Sequence, residues 1–221
     1  MEILSLPLFR GIAAEDLPVL LVCVGAGRRR YPKGTWLLRR GEVTGRLGLL
    51  LSGRVHIVRE DFWGRRTIVG LAEPGDLFGE SYACLPGEPL EVSVLAAADT
   101  EVLYLDAARA AVGCGQNCGF HTQLSRNLLA LLAEKNLMLT RKMRHMARRT
   151  TRDKLLSYLS AQAMSAGSAE FDIPLDRQQL ADYLSVDRSA MSAVLGKLRR
   201  EGVLDFHKNH FHLLQTPEWD D

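Results

Sequence analysis

The sequence predicts an α+β fold in which a sheet-rich N-terminal part is followed by a helical C-terminal part. Three observations carry this prediction. Residues 27–106 are short apolar stretches separated by glycine turns, residues 120–149 form one long apolar-rich helix, and residues 175–214 hold two short helices and a hairpin. These patterns predict a β-roll of the double-stranded jelly-roll kind, a long dimerisation helix and a winged helix-turn-helix, with boundaries at 1–118, 119–149 and 150–221.

In the N-terminal part, turn-forming glycines recur about every 8–12 residues, which is the spacing of an all-β barrel or sandwich. These glycines are Gly41, Gly45, Gly53, Gly64, Gly75 and Gly87. The stretches between them, such as Gly48–Ser52, Thr67–Leu71 and Val92–Ala96, are rich in Leu, Val and Ile. We therefore expect a roll of roughly eight strands that encloses an interior.

The segment Phe120–Arg149 carries more apolar surface than a β-roll alone would cover, at the spacing of one helix face. Its apolar residues include Leu124, Leu128, Leu131, Leu132, Leu139, Met143 and Met146. We expect two copies of this helix to pair in a coiled-coil seam, with Leu128 and Leu131 on or near it. The alternative is a helix buried against its own domain.

Two short helical segments, Arg177–Leu184 and Asp187–Arg200, are separated by a very short turn. Their apolar residues recur at spacings of three and four, which puts one stripe on each helix: Leu180, Leu184, Met191, Val194, Leu195 and Leu198. Asp176 and Asp187 can cap the two helices by accepting backbone N–H groups. Beyond Gly202, two apolar stretches around a basic segment predict a hairpin wing, so the whole is a winged helix-turn-helix.

Polar residues occupy the start of the second helix, on the face opposite Met191 and Leu195. An arginine there, Arg188, can donate two parallel hydrogen bonds to guanine O6 and N7 in a major groove. The predicted DNA-contacting residues are Arg188, Ser189, Ser192, Gln178, Arg177, Lys197 and Lys208. The alternative is an ordinary helical pair with a solvated basic face, which the agreement of motif, turn and wing disfavours.

Composition limits the remaining possibilities. The 221 residues suffice for two domains, and the net charge is only +2, so local basic clusters at Arg141–Lys154 and Lys197–Arg200 matter more than bulk charge. No apolar run approaches the length that spans a bilayer, and the N-terminus lacks the features of a signal peptide. We expect a soluble cytoplasmic protein with no membrane partner.

A β-roll, a long dimerising helix and a winged helix-turn-helix, in that order, resemble the cyclic AMP receptor protein and FNR family of bacterial transcription regulators. The most specific segments are Pro74–Glu80 in the roll and Asp187–Ser192 in the second helix. The resemblance implies that Arg188 reads a guanine. Ser189 and Ala193 depart from the glutamate and arginine that are common in the family, so the usual operator sequences are not expected.

The resemblance also restricts the effector. Members that bind cyclic nucleotides hold the ribose with a Gly-Glu motif and the cyclic phosphate with an Arg-Ser pair. Gly79-Glu80 is present, but Leu90-Glu91 replaces the Arg-Ser pair, and a carboxylate repels a phosphate. Cyclic AMP and cyclic GMP are therefore not expected, and no cofactor is predicted. Another effector would touch Gly79, Glu80, Ser81, Tyr82, Leu90 and Glu91, with Lys135 and Asn136 of the long helix.

The implied function is a dimeric regulator, activating or repressing, that binds a palindromic operator on double-stranded DNA and has RNA polymerase as a further partner. One alternative is a redox sensor. Cys114 and Cys118 could form a redox pair or half of a metal site, and the four cysteines of the chain could hold an iron–sulfur cluster. The other reading of these residues is buried or incidental thiols.

A second alternative is a small-molecule-binding module without DNA regulation, which the recognition helix disfavours. On the wing, His210 and His212 could share one strand face. We interpret them as polar residues near phosphate rather than as ligands of a zinc site. The sequence has no nucleophile with an adjacent base and no glycine-rich phosphate loop, so no enzyme is expected.

Overall fold

The computed structural model describes residues 3–112 and 118–214. The chain divides into two compact units, and the boundary between them lies between Ala133 and Glu134, inside one long helix. The first unit contains two four-stranded sheets and the second contains the helix-turn-helix with a three-stranded sheet, so the predicted α+β architecture is confirmed. The three predicted domain boundaries stay predictions. No helix in the described ranges is both long enough and apolar enough to cross a membrane.

The first unit begins with two 3-10 turns and a short helix, followed by eight strands, with one short helix after the sixth strand and another after the eighth. The elements are Ile3–Ser5, Pro7–Phe9, α1 (Leu17–Cys23), β1 (Gly27–Tyr31), β2 (Trp36–Leu38), β3 (Arg46–Ser52), β4 (Val55–Glu60), β5 (Arg66–Ala72), β6 (Leu77–Phe78), α2 (Glu80–Ala83), β7 (Ser93–Ala96), β8 (Thr100–Asp106) and α3 (Ala107–Val112). Their number matches the roll of roughly eight strands that the glycine spacing predicts.

The strands form two four-stranded antiparallel sheets, in the orders β1-β8-β3-β6 and β2-β7-β4-β5. Strands β3 and β8 are buried on both faces, because side chains alternate across a strand. Leu49 and Leu103 pack in a cluster with the N-terminal turns and α1, while Leu50 and Val102 pack between the sheets. Two-sided burial explains why these two strands are continuous apolar runs.

The long helix α4 spans Gly119–Met146 and so ends three residues before the predicted Arg149. It ends because Thr150 is the N-cap of the next helix, where its hydroxyl accepts a hydrogen bond from the amide of Asp153. Leu124 and Leu128 are buried in the core of the first unit, with Leu131 partly buried beside them. The prediction that Leu128 lies on a dimer seam is therefore wrong, because its side chain is covered by its own chain.

The second unit contains α5 (Thr151–Ala166), β9 (Glu170–Asp172), α6 (Arg177–Leu184), α7 (Arg188–Arg200), β10 (Leu204–His207) and β11 (His210–Leu213). The three strands form an antiparallel sheet in the order β10-β11-β9. One core joins all of these elements; its largest members include Leu155, Tyr158, Leu159, Phe171, Leu180, Met191, Leu195, Leu198 and Phe211. The predicted helix pair and hairpin wing are thus confirmed as one packed body.

Candidate nucleic-acid interface

Helix α6 begins with a capping box. The Asp176 carboxylate accepts a hydrogen bond of 2.8 Å from the amide of Gln179, whose side-chain oxygen in turn accepts one from the amide of Asp176. At its other end Ser185 adopts left-handed backbone angles, with φ of 50°, which turns the chain sharply into α7. Asp187 then caps α7 by accepting a hydrogen bond from the amide of Ala190. Both predicted caps are confirmed.

The two helices of the motif pack together through buried apolar side chains. Leu180, Ala181 and Leu184 of α6 are fully buried, as are Met191 and Leu195 of α7. Ala181 has no side chain beyond its methyl group, so the helices can approach closely. Arg188, Ser189 and Ser192 at the start of α7 are exposed, as the sequence predicts. Only Ser189 lies opposite Met191 and Leu195, because Arg188 is three residues before Met191 and seven before Leu195, a spacing that puts it beside the buried stripe.

Both of these serine hydroxyls are already engaged within the chain. Ser189 Oγ donates to the carboxylate of Asp187, and Ser192 Oγ donates a 2.9 Å hydrogen bond to the carbonyl of Arg188. The hydrogen bond from Ser189, with that from the amide of Ala190, lowers the pKa of the Asp187 carboxyl. Because both serine hydroxyls are engaged, the side chain at the start of α7 that remains available to a base edge is that of Arg188, at the first helical position.

The basic residues at the end of α7 are partly paired. Arg199 lies 2.7 Å from an Asp205 carboxylate oxygen, and Lys197 lies 3.9 Å from Glu201, which also pairs with Arg152. These pairs are largely exposed and contribute little to stability. Lys197, one of the predicted DNA-contacting residues, is itself exposed.

Two of the predicted DNA-contacting residues are bound within the unit. Gln178 donates a 2.9 Å hydrogen bond to Asp182 on the next turn of α6. Arg177 is half-buried, and its guanidinium lies over the ring of Phe206 and 5.1 Å from the ring centre of Phe211. Burial lowers the pKa of Arg177, and its Nη2 is buried without a hydrogen-bond partner. Arg177 thus joins α6 to the wing.

The wing turns at Lys208, which is exposed and adopts φ of 53°. Behind it, His210 is placed between two carboxylates of β9. Its Nε2 lies 3.0 Å from Glu170 and its Nδ1 lies 3.1 Å from Asp172. These hydrogen bonds, the one with Glu170 first, raise the pKa of His210. Across the described ranges no group of three or more His, Cys, Asp or Glu side chains is arranged to hold a metal ion.

A buried histidine that the sequence does not single out lies on the last turn of α4. His145 Nδ1 is 2.9 Å from Ser157 Oγ on α5, and its ring packs against Tyr158 and against Tyr183 of α6. Desolvation, followed by the charges of Arg144 and Arg148, lowers its pKa. His145 therefore fixes the end of α4 to the helix-turn-helix. No pattern in the sequence points to His145, because its partners come from two other helices.

In the first unit, the predicted effector residues differ in exposure. Glu80 is buried and Tyr82 half-buried, whereas Ser81 and Glu91 are exposed. Leu90 packs in the core between the two sheets. Lys135 and Asn136 belong to the second unit. Of the two residues that stand in place of the Arg-Ser pair, Leu90 therefore has an apolar side chain in the core and Glu91 has a carboxylate in solvent.

Two cavities lie away from the predicted effector residues. A cavity of about 390 Å³ in the first unit is lined by Arg30, Tyr31, Pro32, Ser52, Asp99, Thr100 and Glu101. Another of about 460 Å³ in the second unit is lined by Arg144, Arg148, Asp153, Leu156, Ser157, Ser160, Ala161 and Met164. Neither contains a residue of the predicted effector site. The walls of the first cavity come from segments distant in sequence, and those of the second come from the end of α4 and the next helix, α5.

Only one cysteine of the predicted redox pair lies within the residues that the structure describes. Cys118 is half-buried just before α4, and Cys114 lies outside the described residues. Cys23 is half-buried and Cys84 is exposed, and neither forms a disulfide bond. Burial and the nearby Glu80 carboxylate raise the pKa of the Cys84 thiol, which disfavours the reactive thiolate.

Comparison with known families gives two matches that together cover most of the chain. A family described as the cyclic nucleotide-binding domain matches residues 28–111. A second, described as the Crp-like helix-turn-helix domain, matches residues 153–218. The first range corresponds to the β-roll and the second to the unit that contains α5, the helix-turn-helix and the wing.

Individual relatives have the same organisation. The cyclic AMP receptor protein of Thermus thermophilus is 28% identical over 204 residues, which are 90% of this chain and 88% of that protein. The solved structure of the c-di-GMP responsive global regulator CLP of Xanthomonas campestris is 24% identical and covers 92% of this chain and all of its own, with a TM-score of 0.54. CprK complexed with OCPA is 20% identical and covers 92% and 91%, with a TM-score of 0.62. These two structures share the fold.

Proposed function

The chain belongs to the Crp/Fnr family of DNA-binding transcription regulators, and we propose that it works in the cytoplasm as a homodimer on a palindromic operator. Arg188 reads a guanine in each half-site, Ser189, Ser192 and Gln178 contact neighbouring groups, and Lys208 holds the DNA backbone. RNA polymerase is the further partner through which such a regulator acts. Because the relatives are transcription regulators, we infer that the protein is not an enzyme.

The observation that carries this proposal is the exposed face of α7. The buried stripe of α7 leaves Arg188 at the solvent-facing start of a helix that is capped and fixed against α6. The wing supplies Lys208 on an exposed turn of the same unit. A helix presented by its N-terminal turn, together with a basic wing, is the arrangement that enters a major groove and grips the flanking phosphates.

Homodimers are typical of the family, and the surface of α4 supports one here. Six positions of α4 follow each other at alternating spacings of three and four, as in a coiled-coil seam: Leu129, Leu132, Asn136, Leu139, Met143 and Met146. Leu129, Leu139 and Met143 are exposed although apolar. A second copy of the helix would bury them, whereas Leu128 is already buried in its own unit. Asn136 is the polar member of the seam, and such a residue fixes the register of paired helices.

We further propose that the effector is neither cyclic AMP nor cyclic GMP. Where family members that bind these nucleotides carry Arg-Ser, this chain has Leu90 in the roll core and Glu91 in solvent. A cyclic phosphate would gain no charged hydrogen bond there and would meet a carboxylate. Isothermal calorimetry with cyclic AMP, cyclic GMP and cyclic di-GMP tests this directly. Micromolar binding of either mononucleotide would contradict the proposal, whereas binding of cyclic di-GMP would identify another effector class.

Selection of bound fragments from a random DNA pool tests the central proposal. We expect a palindrome whose half-sites lie one helical turn apart, ~34 Å centre to centre. Arg188→Ala should weaken binding to that site by about 1–3 kcal/mol and relax the preference at one guanine. Arg188→Lys is the matched control, since it keeps the charge but not the bidentate geometry and should lose most of the same preference. If Arg188→Ala selects the unchanged sequence, Arg188 is a phosphate contact and the assignment fails.

A further inference from the structure

The cavity of about 460 Å³ in the second unit has a charged part and an apolar part. The charged part contains Arg144 and Arg148, four residues apart at the end of α4. The apolar part contains Leu156, Ala161 and Met164, which lie along α5. A cavity of this size that combines apolar walls with a few polar groups is typical of a small-molecule site.

The two arginines supply positive charge that the unit does not neutralise. Both are exposed, and neither forms an ion pair with an acidic side chain in the described part of the chain. The carboxylate of Asp153, which also lines the cavity, already accepts a 2.7 Å hydrogen bond from the hydroxyl of Thr150. Guanidinium groups bind carboxylates and phosphates through paired, charge-assisted hydrogen bonds. This part of the cavity therefore favours an oxyanion.

A buried histidine orients a hydroxyl in the cavity wall. Ser157 lines the cavity, and its Oγ lies 2.9 Å from Nδ1 of the buried His145. When Nδ1 carries a proton it donates to Ser157, so the serine can donate its own proton to an oxyanion. Arg144 and Arg148 lie close enough to His145 that their charges, after desolvation, lower its pKa. His145 therefore links the hydroxyl to the two charged groups.

The proposed dimer seam does not cover the charged part of the cavity. Arg144 follows the seam residue Met143 by one position and precedes the seam residue Met146 by two. At about 100° per residue, Arg144 is rotated by ~100° from Met143 and by ~160° from Met146. Pairing of two copies through the seam would therefore leave the Arg144 side of α4 accessible to a ligand.

We propose that this cavity binds a small organic anion whose oxyanion head group lies between Arg144 and Arg148 and whose apolar body lies along α5. From Asp153 to Met164 the α5 part of the wall extends over ~16.5 Å, at 1.5 Å per residue. Decanoate, an extended carboxylate of comparable length, represents this class of ligand. A bound anion would join the end of α4 to α5. The inference does not rest on base reading by α7.

Isothermal titration calorimetry of the full-length protein tests the class of ligand. Decanoate should bind, whereas decyltrimethylammonium, which has the same chain and the opposite charge, should not. Octanoate, which is shorter by two methylene groups, should bind about tenfold more weakly than decanoate, and inorganic phosphate, which has no chain, more weakly still. Tighter binding of decanoate or of decyl phosphate identifies the preferred head group as a carboxylate or a phosphate.

Protein variants assign the binding to the cavity. Arg144→Gln combined with Arg148→Gln should weaken decanoate binding about tenfold or more, because both charge-assisted contacts are lost. Arg141→Gln combined with Arg149→Gln is the matched control: it removes the same charge from exposed neighbours that do not line the cavity, and affinity should be nearly unchanged. Met164→Gln keeps the side-chain length and should weaken the binding of decanoate but not of inorganic phosphate.

Several results would overturn this inference. They are the absence of decanoate binding at millimolar concentration, equal binding of decyltrimethylammonium, and equal weakening by the two double variants. If the Arg144→Gln and Arg148→Gln pair weakens binding to a duplex of arbitrary sequence and leaves decanoate binding unchanged, the arginines hold DNA phosphates and the small-anion site is wrong. None of the decanoate measurements uses an operator, so this inference and the proposed function fail separately.

Discussion

The guanidinium carbon of Arg177 lies 4.7 Å from the centre of the Phe206 ring. This contact places a predicted DNA-binding side chain between α6 and the wing, where it also covers Phe211. An arginine in this position packs its stem and plane on aromatic rings, so its main effect is on the stability of the unit. The same side chain can still be near phosphate, but its geometry is fixed by the wing.

Arg177→Ala should therefore lower the free energy of unfolding by about 1–2 kcal/mol, because two ring contacts and the packed stem are lost. Arg177→Met should retain most of the stability, since it keeps the apolar volume. Urea unfolding followed by circular dichroism measures both. Unchanged stability of Arg177→Ala, combined with a weaker salt dependence of DNA binding, would make Arg177 a phosphate contact instead.

The proposed dimer seam predicts opposite outcomes for two leucines of α4. Leu139→Glu should weaken the dimer roughly tenfold or more, because two carboxylates would meet across the seam. Leu128→Glu should instead destabilise the first unit, whose core contains Leu128. Sedimentation velocity and thermal unfolding separate the two effects. A dimer that survives Leu139→Glu would show that the seam uses another surface.

Lys208 and Arg188 should differ in the kind of binding they provide. Lys208→Asn removes the charge yet tolerates the left-handed backbone of this turn. It should weaken all DNA sequences similarly and reduce the slope of log affinity against log salt by about one unit. Fluorescence anisotropy over a salt series, with specific and scrambled duplexes, measures this. Loss of specific binding alone would assign base reading to the wing.

Gly196→Ala should separate stability from function. The helix should become more stable by up to about 1 kcal/mol, since alanine loses less backbone entropy than glycine and the added Cβ meets an ordinary contact. DNA binding should become weaker, because the Cβ stands between α7 and the groove. Urea unfolding and anisotropy on one preparation test both. Stability that rises without any loss of affinity would show that α7 does not approach the DNA closely at Gly196.

The stability of the wing should depend on the protonation of His210. Its pKa is raised in the folded state by Glu170 and Asp172, so the protonated ring is favoured by folding. The contribution should be fully present below the unfolded pKa of about 6.5 and lost as pH rises through the raised folded pKa. Urea midpoints at pH values on both sides of this range measure it.

His210→Gln should flatten that dependence, and His212→Gln on the same strand is its control. His212 pairs with Glu170 in the strand register and is exposed. A pH dependence that His210→Gln leaves unchanged would assign the titration to another group.

The sequence by itself determined the local parts of this protein. The helix-turn-helix followed from apolar spacings within single helices and from Asp176 and Asp187, whose caps act on amides only three residues away. The roll followed from recurrent glycine turns. The end of α4 was predicted three residues too late, because the cap at Thr150 was not recognised as the start of α5.

Only the tertiary structure decided which face of each element is covered. Leu128 and Leu139 are equivalent in a helical pattern, but Leu128 is buried in the core of the first unit and Leu139 is exposed. Arg177 and Arg188 are both arginines at the first turn of a helix, and the wing rings of Phe206 and Phe211 hold only the first. His145 and His210 acquire their partners from other elements. Periodicity describes one element at a time, whereas burial and pairing depend on residues far away in sequence.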